Sequence, residues 1–243
     1  MADTDTQVKG NLDQFNPTDW KAVSLTYVEY PKGDFLGFIL AWFSLLPFIL
    51  IVSFITMILL RRDLHTAAFF AGLLVNELIN IAIKHLVQES RPVRGRENLY
   101  TEYGMPSSHA QFMWFFASYF ALFLLFRLYK NYSLIEDVWK YVCAGLGVLC
   151  AILVSWSRIY LGYHTMSQVL VGVLLGSILG ALWFLNVHFL LTPLFPLLAS
   201  SLIGEFFMLR DSTLIPHVLW FEYTCSRNEA RSRQRKMSSR KSQ

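Results

Sequence analysis

Three short clusters in the chain put cations, hydroxyls and imidazoles at spacings suited to holding and attacking a phosphate. The first, Lys84-His85-Leu86-Val87-Gln88-Glu89-Ser90-Arg91-Pro92, separates a lysine from an Arg-Pro pair by six residues. The second is Pro106-Ser107-Ser108-His109, and the third runs from Ser157-Arg158 to His164, with Gln168 one turn beyond. Lys84, Arg91 and Arg158 can compensate a phosphate or pyrophosphate, and the arginines can bind its oxygens with two parallel hydrogen bonds. Ser107 and Ser108 precede an apolar helix, where hydroxyls and free backbone N–H groups favour an anion. His109 and His164 allow a division of labour, one attacking phosphorus as neutral imidazole and the other protonating the departing oxygen. Phosphoryl transfer depends chiefly on positioning and charge stabilisation, which these cations can supply, so the scheme requires no metal and no other cofactor.

Each cluster taken alone has a plainer explanation. A lysine or arginine at the end of a membrane span is usually a snorkelling anchor. A lone histidine there is usually structural, as read for His65, His85, His188 and His217, and a Ser-Ser pair before a helix is usually a cap. What separates these clusters from anchors and caps is their convergence on one membrane face, which depends on the spans that carry them.

Those spans are legible in the composition. The 243 residues are 54% hydrophobic and only 16% charged, against roughly 25% charged in soluble domains. Residues 35–60 are uncharged and exceed the ~20 needed to cross a bilayer, with Pro47 as a potential kink that neighbouring helices would accommodate. Residues 66–84 form a second span whose Asn76, Glu77, Asn80 and Lys84 share one helical face and so should point into the bundle. Residues 109–129, 141–157 and 165–190 supply three more. Gly172, Gly176 and Gly180, four apart, allow close packing of the last. The expected fold is therefore an all-α polytopic transmembrane bundle of five spans. Residues 194–209, short, proline-flanked and carrying Glu205, read as an interfacial or re-entrant segment, with a sixth span as the alternative.

Charge orients the bundle. With five spans, Arg61, Arg62, Arg127, Lys130, Lys140 and the basic tail share one face, which the positive-inside rule makes cytosolic. The 88–106 loop and the N-terminus then lie on the lumenal or extracellular side, although Arg91, Arg94 and Arg96 run mildly against this. The expected organisation is a polar lumenal segment (1–34), a bundle (35–190), an interfacial segment (191–220) and a basic cytosolic tail (221–243). Asn131-Tyr132-Ser133, a glycosylation acceptor by pattern, falls on the cytosolic side, and Asn16-Pro17-Thr18 carries the forbidden proline. The first 34 residues lack the pattern of a cleaved signal peptide. Cys143 and Cys150 lie about 10 Å apart along one helix, too far to bridge. The net charge of +4 is concentrated in the tail, so nucleic acid is not an expected partner.

In order and spacing the three clusters resemble the type 2 phosphatidic acid phosphatase (PAP2) superfamily, whose signature is Lys, six residues, Arg-Pro; Pro-Ser-Gly-His; and Ser-Arg, five residues, His, three residues, Asp. Lys84, Arg91, Pro92, Pro106, Ser107, His109, Ser157, Arg158 and His164 match it. The resemblance implies that His164 is a nucleophile forming a phosphohistidine, that His109 is the general acid, and that Lys84, Arg91 and Arg158 bind phosphoryl oxygens with help from Ser107. It also implies independence from divalent metals. The runs 103–114, 163–168 and 210–216 look like a eukaryotic branch of the superfamily. That branch acts on dolichyl diphosphate, a polyprenyl lipid, in the endoplasmic reticulum membrane, working lumenally to return dolichyl phosphate to protein N-glycosylation. Arg240-Lys241-Ser242-Gln243 faintly resembles a dibasic retrieval signal.

Two positions depart from the superfamily pattern. Ser108 stands for glycine, crowding the cradle or adding a donor. Gln168 stands for the acid that would orient and polarise His164; it can hold the ring through its amide oxygen but cannot offer imidazolium a full charge. A different acid, with Glu77 as the candidate, would then be needed, or a lower rate accepted. Two competing readings follow: a phosphatase for phosphatidate or another lipid monophosphate, and a non-catalytic lipid-binding scaffold.

Overall fold

The structure, a computed structural model, describes residues 20–23, 28–92, 103–127, 134–212 and 218–241. Arg94, Arg96, Lys130, Asn131 to Ser133, residues 213–217 with His217, and residues 1–19 and 24–27 of the 1–34 segment lie outside the described residues. Two short antiparallel strands, β1 (Trp20–Val23) and β2 (Val28–Pro31), precede the bundle. The helices that follow are α1 (Phe35–Phe43), α2 (Leu46–Arg61), α3 (Leu64–Val87), α4 (Ser108–Leu122), α5 (Leu134–Tyr160) and α6 (Met166–Asn186). Beyond them lie the short α7 (Phe195–Ala199) and α8 (Leu202–Phe207), and then α9 (Val218–Lys241).

Among the described residues five helical runs are long and apolar enough to cross a membrane: Phe35–Arg61, Leu64–Val87, Ser108–Phe126, Val138–Tyr160 and Met166–Ala199. The break in the first falls between α1 and α2. Pro47 sits in the first turn of α2, where its missing N–H costs nothing because that donor would be unpaired in any helix. The fifth run passes residue 190 and continues to Ala199 through a π turn (Val187–Leu191) and a 3-10 turn (Thr192–Leu194). After α8 the backbone returns to the α2–α3 turn, where Arg210 N–H donates to Arg62 O and Leu64 N–H to Arg210 O, both at 2.9 Å. Asp63 caps α3 by accepting from Thr66 N–H at 2.9 Å, and its carboxylate also accepts from the Ser212 hydroxyl.

Helix α4 is the hub, packed against α6, α5, α3 and α2. Its closest neighbour is α6, because Gly172, Gly176 and Gly180 remove side chains where the backbones meet. A Cβ at Gly172 would stand 2.8 Å from Ser107 O and one at Gly180 2.6 Å from Phe115 O. With lipid unable to drive helices together hydrophobically, such close approach is a main source of association. The outward face of α6 bears Leu170, Leu174, Ile178, Leu182 and Leu185, all exposed, as a lipid-facing surface requires.

Helix α3 meets α4 through amides. Gln111 Nε2 donates to Asn76 O at 3.1 Å and Asn76 Oδ1 at 3.0 Å, while Asn80 Nδ2 donates to Gln111 Oε1 at 2.8 Å. Asn76, Asn80, Lys84 and Gln111 are buried and Glu77 is half-buried, so the polar stripe does face inward. Its amides join helices, and Asn80 also reaches toward Pro106 O at 3.5 Å, at the start of the second cluster.

Candidate active site

The alternation of spans brings the end of α3, the start of α4, the end of α5 and the start of α6 to one end of the bundle. Lys84 is in the last turn of α3, His109 in the first turn of α4, Arg158 in the last turn of α5, and His164 and Gln168 flank the start of α6. His164 lies within electrostatic reach of Arg158, Arg91 and Lys84, and His109 within reach of those three and of His164. The five residues of the sequence constellation are therefore gathered.

Local chain chemistry explains the position of His164. The turn that follows α5 passes through Gly162, whose φ of +73° is left-handed and favours glycine. The chain folds back so that Tyr163 N–H and His164 N–H both donate to Arg158 O, at 3.0 and 3.1 Å. Arg158 is thereby fixed beside the histidine. Its guanidinium lies 4.0 Å over the Tyr163 ring and donates to Ser44 Oγ at 3.3 Å, while Ser44 and Ser157 hydroxyls bond at 2.9 Å. Tyr163 is itself held by accepting from Glu29 N–H at 2.9 Å.

The His164 ring is oriented by two acceptors. Nδ1 lies 3.0 Å from Gly104 O and 3.2 Å from Gln168 Oε1. A backbone carbonyl can only accept, so Nδ1 carries the proton and Nε2 keeps its lone pair at neutral pH. The Gln168 amide orientation follows from its other bonds. Nε2 donates to Glu89 Oε1 at 2.8 Å and Ser90 O at 2.9 Å, and Oε1 accepts from Thr165 N–H at 3.2 Å. Thr165 Oγ1 in turn accepts from Gln168 N–H at 3.3 Å, completing a capping box. The carboxylate bonded to Gln168 is thus Glu89, while Glu77, the expected candidate, stands on α3. Burial first, then the charges of Arg158, Arg91 and Lys84, lower the His164 pKa to about 3, partly offset by the Gln168 bond.

Ser107 occupies the N-cap position of α4. Its N–H donates to Gln168 O at 3.1 Å, and its fully buried Oγ has no hydrogen-bond partner among the described residues. Ser108 and His109, both half-buried, follow in the first turn, and His109 packs edge-on against Phe48 with centroids 6.0 Å apart. The sequence reading missed four supports. Ser44 and Gln111 are polar residues in apolar runs, a detectable sign of buried function; Gly104 and Glu89, in the polar loop, carried no such sign.

The sequence profile of the PAP2 superfamily matches residues 65–191, the stretch that holds all three clusters. The chain belongs to the PAP2 superfamily. It is a phosphatase of that superfamily, built as a polytopic helical bundle. "Dolichyldiphosphatase 1" of Homo sapiens is 50% identical over 228 residues, covering 92% of this chain and 95% of that protein. "Lipid phosphate phosphatase gamma" of Arabidopsis thaliana is 40% identical, covering 93% and 98%. A crystal structure of a transmembrane PAP2-type phosphatidylglycerolphosphate phosphatase from Bacillus subtilis shares the fold, with a TM-score of 0.54 at 21% identity over 65% of this chain and 80% of that one.

Proposed function

We propose that this phosphatase hydrolyses dolichyl diphosphate to dolichyl phosphate and inorganic phosphate at the lumenal face of the endoplasmic reticulum, returning the lipid carrier to protein N-glycosylation. The observation that carries the chemistry is the fixed Nδ1–H of His164, bonded to Gly104 O and Gln168 Oε1, because it leaves Nε2 as a neutral nucleophile. In the first step Nε2 attacks the terminal phosphorus, the N–P bond forms, and the bond from phosphorus to the bridging oxygen breaks. His109 gives its proton to that oxygen and dolichyl phosphate leaves. In the second step water attacks the phosphohistidine, His109 takes its proton, the N–P bond breaks and inorganic phosphate departs.

Lys84, Arg91 and Arg158 hold the phosphoryl oxygens throughout. The buried Ser107 hydroxyl, Ser108 and the first N–H groups of α4 add donors where the helix dipole favours the anion. Support for the substrate comes from the names of relatives sharing half their residues with this chain across nearly its whole length. The lumenal assignment rests on charge: Arg61, Arg62 and Arg210 sit at the end of the bundle away from His164, with the basic helix α9, as the positive-inside rule asks of a cytosolic face.

Purified protein should release phosphate from dolichyl diphosphate in the presence of a chelator, with His164→Ala inactive. Ordinary turnover by that variant would sink the mechanism. The Arabidopsis relative's name favours a second reading, a broader lipid phosphate phosphatase, and turnover of phosphatidate in preference to dolichyl diphosphate would select it. In sealed microsomes, added protease should remove the tail beyond Arg227; protection of the tail would reverse the topology.

A further inference from the structure

His164 lacks the acid that its superfamily places four residues on, because position 168 is glutamine. The question is whether the negative charge has been lost or has moved. Gln168 is fully buried, and both ends of its amide are engaged. Oε1 faces His164 Nδ1 and Thr165 N–H, while Nε2 donates to Glu89 Oε1 at 2.8 Å and to Ser90 O at 2.9 Å. Glu89 comes from a different segment, just past α3, and its own carbonyl oxygen accepts from Gly104 N–H at 2.6 Å. The residue whose backbone fixes Gly104 is therefore also the one whose carboxylate meets Gln168, and Gly104 O is the second acceptor for His164 Nδ1.

We infer that Glu89 is a positioning residue for His164, supplying through the Gln168 amide the negative charge that position 168 itself does not carry. A carboxylate accepting from Nε2–H polarises the amide and strengthens Oε1 as an acceptor for Nδ1–H, since linked hydrogen bonds reinforce one another and the amide that links them is fully buried, with Glu89 itself half-buried. It also penalises the flipped amide. Flipping would place Oε1 against the Glu89 carboxylate and Ser90 O, and would turn Nε2–H toward Nδ1, selecting the tautomer whose Nε2 is protonated and cannot attack. Ser90 O alone resists the flip but carries no full charge. When Nε2 bonds to phosphorus the ring becomes cationic among Arg158, Arg91, Lys84 and His109, and the Glu89 charge opposes that repulsion.

This inference rests on His164 being the nucleophile, and the experiment separates the two. Reconstituted full-length protein is mixed with dolichyl diphosphate labelled in its terminal phosphate. Acid-labile phosphohistidine is trapped over time in wild type, Glu89→Gln, Glu89→Asp and Glu89→Ala, and steady-state kcat and KM are measured alongside. Glu89→Gln, nearly isosteric, should form phosphohistidine about 10-fold more slowly, the scale on which partners that orient histidines act. Its KM should remain near wild type. Glu89→Asp should recover much of the rate and Glu89→Ala should fall to or below Glu89→Gln. Wild-type rates of phosphohistidine formation in both Glu89→Gln and Glu89→Ala, with His164→Ala silent, would overturn the role of Glu89 alone. A raised KM with unchanged kcat would also overturn it, assigning Glu89 to substrate binding instead. Absence of any phosphohistidine in wild type would overturn the covalent reading, and this inference with it.

Discussion

At one end of the bundle Arg158, His164 and Gln168 are 5%, 3% and 0% exposed, while at the other Arg61, Arg210 and Glu222 form ion pairs with side chains 38%, 63% and 39% exposed. Both ends use arginine and glutamate, and both tie distant segments together. At the buried end an unmet polar group costs about 1–3 kcal/mol, and Arg158, His164 and Gln168 all find partners. The result is a chain of bonds through Glu89, Gln168, Gly104 and His164. At the exposed end water competes with the Arg61–Glu222 contact of 2.8 Å, and such pairs contribute roughly 0–1 kcal/mol. The same residue types thus become chemistry at one end and a clasp at the other, and burial makes the difference.

Arg158→Ala should separate the ends most strongly. It removes a buried cation from the proposed phosphate cradle and should lower phosphate release by about 10²–10³-fold, the loss typical of removing one preorganised stabiliser. Gly104→Ala comes next. A Cβ there would fall 2.6 Å from Gln168 Nε2, so the amide must move and His164 loses its alignment. Activity should fall about 100-fold while the thermal midpoint stays near wild type, and an active variant would show that the Gly104 contact is dispensable.

The pH profile tests electrostatics at the same end. Since burial and the neighbouring cations hold His164 near a pKa of 3, lowering the pH from 7 to 5 should not remove kcat/KM through protonation of this group. Arg91→Gln removes one of those cations, raises the pKa toward the ordinary 6.5, and should bring an acidic limb upward into the measurable range. An identical limb in both proteins would exclude this coupling. Gly176→Ala acts on stability. Its Cβ would collide with Gln111 O, a backbone atom that cannot swing aside, at a cost of about 1–3 kcal/mol read from thermal unfolding in detergent. The smallest effect belongs to the exposed end. Arg61→Ala should cost no more than about 1 kcal/mol and leave phosphate release intact; a large loss of activity would show that the two ends are coupled.

Much of the site was legible before folding because its members sit at span ends. The lengths of the apolar runs determine which ends share a face, and so Lys84, His109, Arg158 and His164 converge. The inward stripe of Asn76, Asn80 and Lys84 was likewise readable from helical spacing, although its amides join α3 to α4. The capping box of Thr165 and Gln168, which turns the Gln168 side chain back toward Thr165, emerged only in the structure. Glu89 gave no sign in the sequence either. A carboxylate in a polar loop is ordinary until something buried is shown to meet it.

The sequence by itself determined the spans, the end at which the polar clusters gather and the residue types available for phosphoryl transfer, since each follows from local hydropathy and spacing. Only the tertiary structure decided how His164 is held. Gly104 lies 60 residues from His164 along the chain, and Glu89 lies 79 residues from the Gln168 amide that it backs. No local rule couples them. Their union depends on glycines that let α6 lie against α4 and on a turn at Gly162 that folds the histidine back over Arg158.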